Sequence, residues 1–373
     1  MDQRLDSIRF GVNYIPRENW WYAWNDFSQD SIARDLDAIA ALGADHLRIM
    51  LVWPYLQPNR GWVSPAHLDR LDQLMVLTAE RNLDVCPALY TGWLSGWPFR
   101  PVFDEGRDFY REPAMREPSE LYMRACAERL NQHANFLGFD LGNEMNGCWK
   151  TPDPRDGDLW MEHFLSLAEE LCPQAMHVNG VDHQPWFYPE TFTPGFLAQR
   201  QRLIALHCWV EFTGALQRGD HRQRASVQLV PAMAALARKY AGDMAKPIWL
   251  QEFGATSHWM PEAEIPAFLE ASVRAAVAGG VGRITWWASH DISPKFQFPE
   301  IEYDMGLLDT SNRPKKVGET FRDLAKELSG RALTIPDWGG LPELPVASPD
   351  KTQSELHQQT WRWIEEVQGI ISP

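Results

Sequence analysis

Two apolar runs in this chain end in a glutamate. One is FDLGNEMNG, residues 139–147, which carries Asn143 and Glu144; the other is WLQEFGA, residues 249–255, which carries Glu252. A carboxylate that closes a buried strand is either a solvated turn or an acid held for chemistry. Two carboxyl groups about 5 Å apart would flank an acetal carbon. One, kept protonated, donates to the leaving oxygen and later serves as base. The other, ionised, attacks the carbon. Alone each glutamate is ordinary, so the fold must show whether they meet.

Eight strand-like runs recur between helix-like segments, near 8–14, 46–53, 83–90, 136–143, 176–181, 203–209, 247–252 and 283–288. The spacing suits repeated βα units. In 31–43 the apolar residues Ile32, Leu36, Ile39 and Leu42 follow the helical period, and Gly43 suits the end. In 64–81, Ser64 can cap and Pro65 fits the first helical position. A third helix is predicted over 262–278, stopping at Gly279-Gly280. The simplest closure is an α/β (β/α)8 TIM barrel over residues 1–330. A doubly wound sheet competes, but GVNYIPRENWW after the first strand is no Gly-rich phosphate turn. Residues 331–373 differ: Pro336, Pro342, Pro345 and Pro349 precede a helix-like 352–369. This C-terminal extension is expected to wrap back onto the barrel as an arm. A partner-binding helix is the alternative.

In a barrel, residues at the C-terminal strand ends line the active site. Glu144 ends the fourth strand and Glu252 the seventh, so both face one mouth. Here the chain resembles the clan A retaining glycosidases, most nearly glycoside hydrolase family 5, over about residues 8–325. The resemblance implies an acid/base role for Glu144 and a nucleophile role for Glu252. It further implies that Arg48, in HLRIMLVW, keeps the nucleophile ionised and that Asn143 bonds a sugar 2-hydroxyl. His207, in ALHCW, matches the strand-six histidine, and Trp287, in WWASHD, the tryptophan that floors the sugar subsite. GLLDTSNRPK, 306–315, resembles the signature before the final barrel helix.

Two positions depart from the pattern. Trp209 stands where many members have a tyrosine that hydrogen-bonds the nucleophile, so Tyr303 or another group must replace it. Strand three ends ALYTGW, without the usual histidine. With SHDIS and EYDMGLLD, these features look more like β-mannosidase-type members than cellulases.

The chain holds 18 tryptophans. Eleven fall at predicted strand mouths, including Trp93 after strand three, Trp149 after strand four, Trp209 and Trp287. A flat apolar face suits the C–H face of a pyranose, so these are candidate sugar contacts, although core packing is the ordinary use of each. His290, after strand eight, is a candidate for substrate hydroxyls.

Other chemistries lack support. There is no HExxH, and adjacent Asp182-His183 and His290-Asp291 point to opposite faces if extended, so no metal site is expected. No nucleotide, flavin or nicotinamide fingerprint appears, and no GxSxG elbow. No cofactor is expected. Five scattered cysteines read as reduced thiols. A net charge of −15 makes nucleic acid and anionic membranes poor partners. No basic segment precedes an apolar run at the start, and no stretch of about 18 apolar residues occurs, so the expected location is cytoplasmic.

The expected activity is a retaining β-glycoside hydrolase acting on oligosaccharides, most nearly an exo-acting β-mannosidase. Rim segments 91–118 and 182–200 are long enough to close a cleft into a pocket. An endo-β-1,4-mannanase, a β-glucanase or β-glucosidase, and a non-catalytic carbohydrate-binding barrel stay open as alternatives. So does a homo-oligomer through the tail.

Overall fold

The computed structural model describes residues 5–297, 299–348 and 350–371. Pro349 lies outside them. The eight barrel strands are β1 (Arg9–Tyr14), β2 (His46–Met50), β3 (Asp84–Tyr90), β4 (Asp140–Asn143), β5 (Val178–Gly180), β6 (Ile204–His207), β7 (Ile248–Phe253) and β8 (Arg283–Trp286). All eight fall on the predicted runs. They are buried almost end to end, as strands covered on both faces must be.

One helix follows each strand: α1 (Gln29–Ala41), α2 (Pro65–Ala79), α3 (Pro113–Leu130), α4 (Pro154–Leu171), α5 (Pro194–Arg200), α6 (Leu229–Ala241), α7 (Ile265–Ala278) and α8 (Lys316–Leu328). Local chemistry sets their starts. The Ser64 hydroxyl accepts from the His67 amide and Pro65 opens α2. α1 begins two residues before the predicted start, because Ser28 caps it by accepting from the Ser31 amide. The core faces of α2 and α7 carry Leu68, Leu71, Leu74 and Met75, and Ile265, Phe268, Leu269 and Val273.

Every pairing within this eight-stranded sheet is parallel, and the order is β5-β4-β3-β2-β1-β8-β7-β6. Because β1 pairs with both β2 and β8, the sheet curls into a (β/α)8 barrel. Among the described residues no ladder joins β5 to β6. The buried Gln201 side chain fills in there: its Oε1 accepts from the Asn179 amide (2.8 Å) and its Nε2 donates to the Leu197 carbonyl (3.0 Å).

The tail ends in α9 (Gln353–Ile371), which lies against α6 and against the short helix Gln184–Phe187. Trp361, Trp363, Ile364 and Val367 are buried. Thr360 Oγ1 donates to the Phe187 carbonyl (2.8 Å) and Trp361 Nε1 to the Thr213 carbonyl (2.6 Å). Among the described residues no helix is long and apolar enough to cross a membrane.

Candidate active site

Arg48, on β2, is fully buried at the centre of the barrel mouth. Its Nε donates to Asp140 Oδ2 (2.8 Å), one terminal nitrogen donates to Asn143 Oδ1 (2.8 Å), and the other reaches Asn13 Oδ1 (3.1 Å) and Glu252 Oε1. A buried guanidinium needs such a set of acceptors to offset lost hydration. One cation thus ties together β1, β2, β4 and β7.

Two irregularities make this possible. Side chains alternate along a regular strand, so residues 251 and 252 should face opposite sides. The β7 register slips against both β6 and β8. At that bulge, Gln251 and Glu252 both reach into the site. β4 likewise slips against β5, and Asp140 and Asn143 both meet Arg48 despite their odd separation. Just beyond, Glu144 sits in the left-handed region (φ 45°, ψ 44°), a conformation costly for a residue with a Cβ and concentrated at functional sites.

Glu144 and Glu252 meet at His207 of β6. His207 Nδ1 lies 2.8 Å from Glu144 Oε1 and 3.3 Å from Glu252 Oε2, and Nε2 lies 3.0 Å from Gln251 Oε1. Donor atoms of Glu144, His207 and Glu252 all lie within 4.8 Å of one another. Such a trio could also ligate a metal, but the Arg48 cation bound to Glu252 opposes a second positive charge there.

Burial pushes the Glu144 carboxyl up to about 8, helped by the nearby Asp182 charge and opposed by Arg48. Burial also lifts Glu252, to about 7, against the pull of His207 and Arg48. The expectation that Arg48 holds Glu252 low is therefore corrected. Asp140 already shares the guanidinium's charge, and desolvation outweighs what remains. Arg48 donates to Glu252 and not to Glu144, which favours Glu144 as the protonated partner. Burial lowers His207, which favours the neutral ring.

The two carboxyls open into a cavity of about 250 Å³. Asn143, Trp93, Trp209, Phe212, Trp287 and Glu302 also line it. Trp93 is half-exposed on a hairpin (Trp93–Leu94 with Trp97–Pro98), and its carbonyl accepts from Asn143 Nδ2 (3.1 Å). Trp209 packs edge-on against Trp259 and Trp287.

Two predicted contacts lie elsewhere. Trp149 is buried, stacked on Phe109 at 4.4 Å with Nε1 donating to Asp104 (2.8 Å). It supports the rim from below, under Gly92. His290 is buried too, between Ser289 Oγ (3.0 Å) and Asn312 Oδ1 (2.7 Å), and it pins the 306–315 segment. Trp20, Trp21, Trp53, Trp186 and Trp286 are likewise buried, so most rim tryptophans hold the loops up. Tyr303 donates to the Phe296 carbonyl (2.7 Å), not to Glu252. Asn13, Asp140, Gln251 and Glu302 carried no sequence signal; the first three face inward, and Glu302 lies in a loop after β8.

No family model and no curated protein sequence matches the chain. Solved structures do. A GH5_18 enzyme from Streptomyces cattleya, in complex with GlcNAc, is 33% identical over 87% of this chain and 80% of its own, with a TM-score of 0.83. A glutamate-to-alanine form of GH5_18 from that organism, in complex with Manβ1-4GlcNAc, is 30% identical over 98% and 92%, with a TM-score of 0.85. An exo-β-1,4-mannosidase from Opitutaceae bacterium strain TAV5 is 27% identical over 86% and 59%, with a TM-score of 0.77. With this identity across nearly the whole chain, the protein belongs to glycoside hydrolase family 5, among the GH5_18 enzymes, and is a glycosidase.

Proposed function

We propose that the protein is a retaining, exo-acting β-mannosidase whose substrates end in a β1,4-linked mannose, with Manβ1-4GlcNAc the first candidate. The observation that carries the retaining mechanism is the closeness of Glu144 and Glu252, within 4.8 Å. Retaining enzymes hold their carboxyls about 5–5.5 Å apart, and inverting ones leave room for a water between them.

In the first step Glu252 attacks the anomeric carbon and the glycosidic C–O bond breaks. The leaving oxygen takes its proton from Glu144. In the second, Glu144 removes a proton from water, the water oxygen attacks the anomeric carbon, and the Glu252 ester bond breaks. Arg48 steadies the charge on Glu252 as it forms and disappears. Asn143 is within reach of the 2-hydroxyl, and Trp287 offers its face to the ring.

Two things support the mannoside and exo readings. The related structures bind or act on mannosides. In addition, the 93–98 hairpin meets the segment after β8 at Gly96 and Pro299 along the cavity wall, an arrangement that suits a short cleft. The test is a panel of nitrophenyl β-glycosides together with Manβ1-4GlcNAc, with product followed by NMR from the first turnover. Release of β-mannose first is expected. An α anomer first overturns retention, and a ladder of oligosaccharides from mannan overturns the exo reading.

A further inference from the structure

Glu302 is a third carboxyl group in the cleft, and the double displacement leaves it without a task. It closes a short 3-10 turn (Glu300–Glu302) after β8 and lines the same cavity as Glu144 and Glu252. Its Oε2 accepts from Trp287 Nε1 (3.2 Å). Among the described residues no arginine, lysine or histidine forms an ion pair with it. A carboxylate has about four lone-pair sites; the Trp287 N–H and the neighbouring Ser95 hydroxyl take up to two of them, which leaves sites open toward the cavity.

The surroundings point to what fills the rest. The wall that holds Glu302 is built from Ile301, Pro299 and the hairpin residues Gly96 and Trp93. A side chain at Gly96 would come within 2.6 Å of Pro299 Cγ, so hairpin and turn are in contact beside Glu302. A carboxylate in a partly apolar pocket with no cation is costly unless hydroxyl donors reach it. A pyranose lying on Trp287 brings adjacent hydroxyls to that edge of the ring. Burial, with the nearby Glu144, lifts the Glu302 carboxyl to about 7, as a desolvated group awaiting donors would show.

We infer that Glu302 is a substrate-binding residue that accepts hydrogen bonds from two neighbouring hydroxyls of the terminal sugar seated over Trp287, and so selects that sugar. The inference rests on the glycosidase reading of the Glu144–Glu252 pair and deepens it. The competing role is purely structural: Glu302 holds Trp287 in place and never meets sugar.

Glu302→Gln separates the two. The amide oxygen can still accept from Trp287, so a bracing role survives, while the charged acceptor for hydroxyls is lost. Steady-state kinetics with Manβ1-4GlcNAc should show kcat/KM down roughly 100-fold, as expected for losing two charge-assisted hydrogen bonds, with KM raised. Calorimetric titration of Manβ1-4GlcNAc into Glu252→Ala and into Glu252→Ala/Glu302→Gln should show the same loss in Kd. Thermal denaturation should leave Tm unchanged. If Glu302→Gln keeps wild-type kcat and KM and the paired Kd values agree within threefold, the inference is overturned. Because the titration compares inert proteins, it reads Glu302 independently of the assignment of Glu252, which fails separately if Glu252→Ala alone still turns over substrate.

Discussion

His207 and Gln251 meet through Nε2 and Oε1 at 3.0 Å. An amide oxygen only accepts, so Nε2 carries the hydrogen of the neutral ring and Nδ1 presents its lone pair to Glu144. That lone pair favours the protonated carboxyl. Replacing Gln251 with leucine frees the ring to place its hydrogen on Nδ1 and donate to a carboxylate instead. The alkaline limb of the kcat/KM profile should then move to lower pH, by about one unit. An unmoved limb would remove Gln251 from the acid's control.

The pH profile of the wild type should be a narrow bell. In the proposed mechanism Glu252 acts ionised, and its carboxyl is raised to about 7, so activity is expected to fall as pH drops below that value. In the same mechanism Glu144 acts protonated, and it is raised to about 8, so activity is expected to fall again above it. The two limbs belong to the coupled pair. An optimum below pH 5, measured as kcat/KM, would contradict this assignment.

Removing the central cation should be severe. Arg48→Ala leaves Asp140 and Glu252 buried without their partner. A loss of about 3–5 kcal/mol in urea unfolding is expected. The acid limb should also move to higher pH, because Glu252 then resists ionisation more strongly.

Gly180 tests the tightness of the constellation. A Cβ there would lie 2.5 Å from Gln251 Oε1, 2.6 Å from Asp140 Oδ2 and 3.0 Å from an Arg48 nitrogen. Gly180→Ala should cost about 1–3 kcal/mol and lower kcat as well. Gly147 has nothing within 4 Å of its Cβ position, so Gly147→Ala should behave as wild type. Equal effects from the two would show that the Gly180 contacts are tolerant.

The tail should matter to stability. Trp361 is fully buried, with the Arg218 guanidinium 4.4 Å above its ring. Trp361→Ala should cost about 3–5 kcal/mol in urea unfolding. A change under 1 kcal/mol would make α9 an ornament.

The barrel was legible because its signals are local and repeated. Each strand is an apolar run, and Ser28, Ser64, Asp153 and Thr193 cap four of the intervening helices by accepting from a backbone amide. Glu144 and Glu252 were legible from their places at two strand ends, and Arg48, Asn143, His207, Trp209 and Trp287 converge with them on one mouth. What escaped was anything that breaks alternation. The β7 and β4 bulges bring Gln251 and Asp140 inward, and a period of two cannot show a residue inserted in the ladder. Glu302 sits in a loop, where composition carries no direction. Trp149 and His290 were misplaced for the opposite reason: residue type suggested sugar, while Asp104 and Asn312 waited inside to take their N–H groups.

Among the described residues seven ladders join the eight barrel strands, which makes a slit cylinder, and such a shape twists more easily than a closed one. The lips of the slit are the segments after β5 and β6. Adjacent residues of α9 hold them together, Thr360 on Phe187 and Trp361 on Thr213. The same two segments begin with Asp182, whose charge lifts Glu144, and Trp209, which lines the cleft. The last helix of the chain therefore acts as a clasp on the mouth. The gap beside Glu144 is clasped only when residues 353–371 are docked.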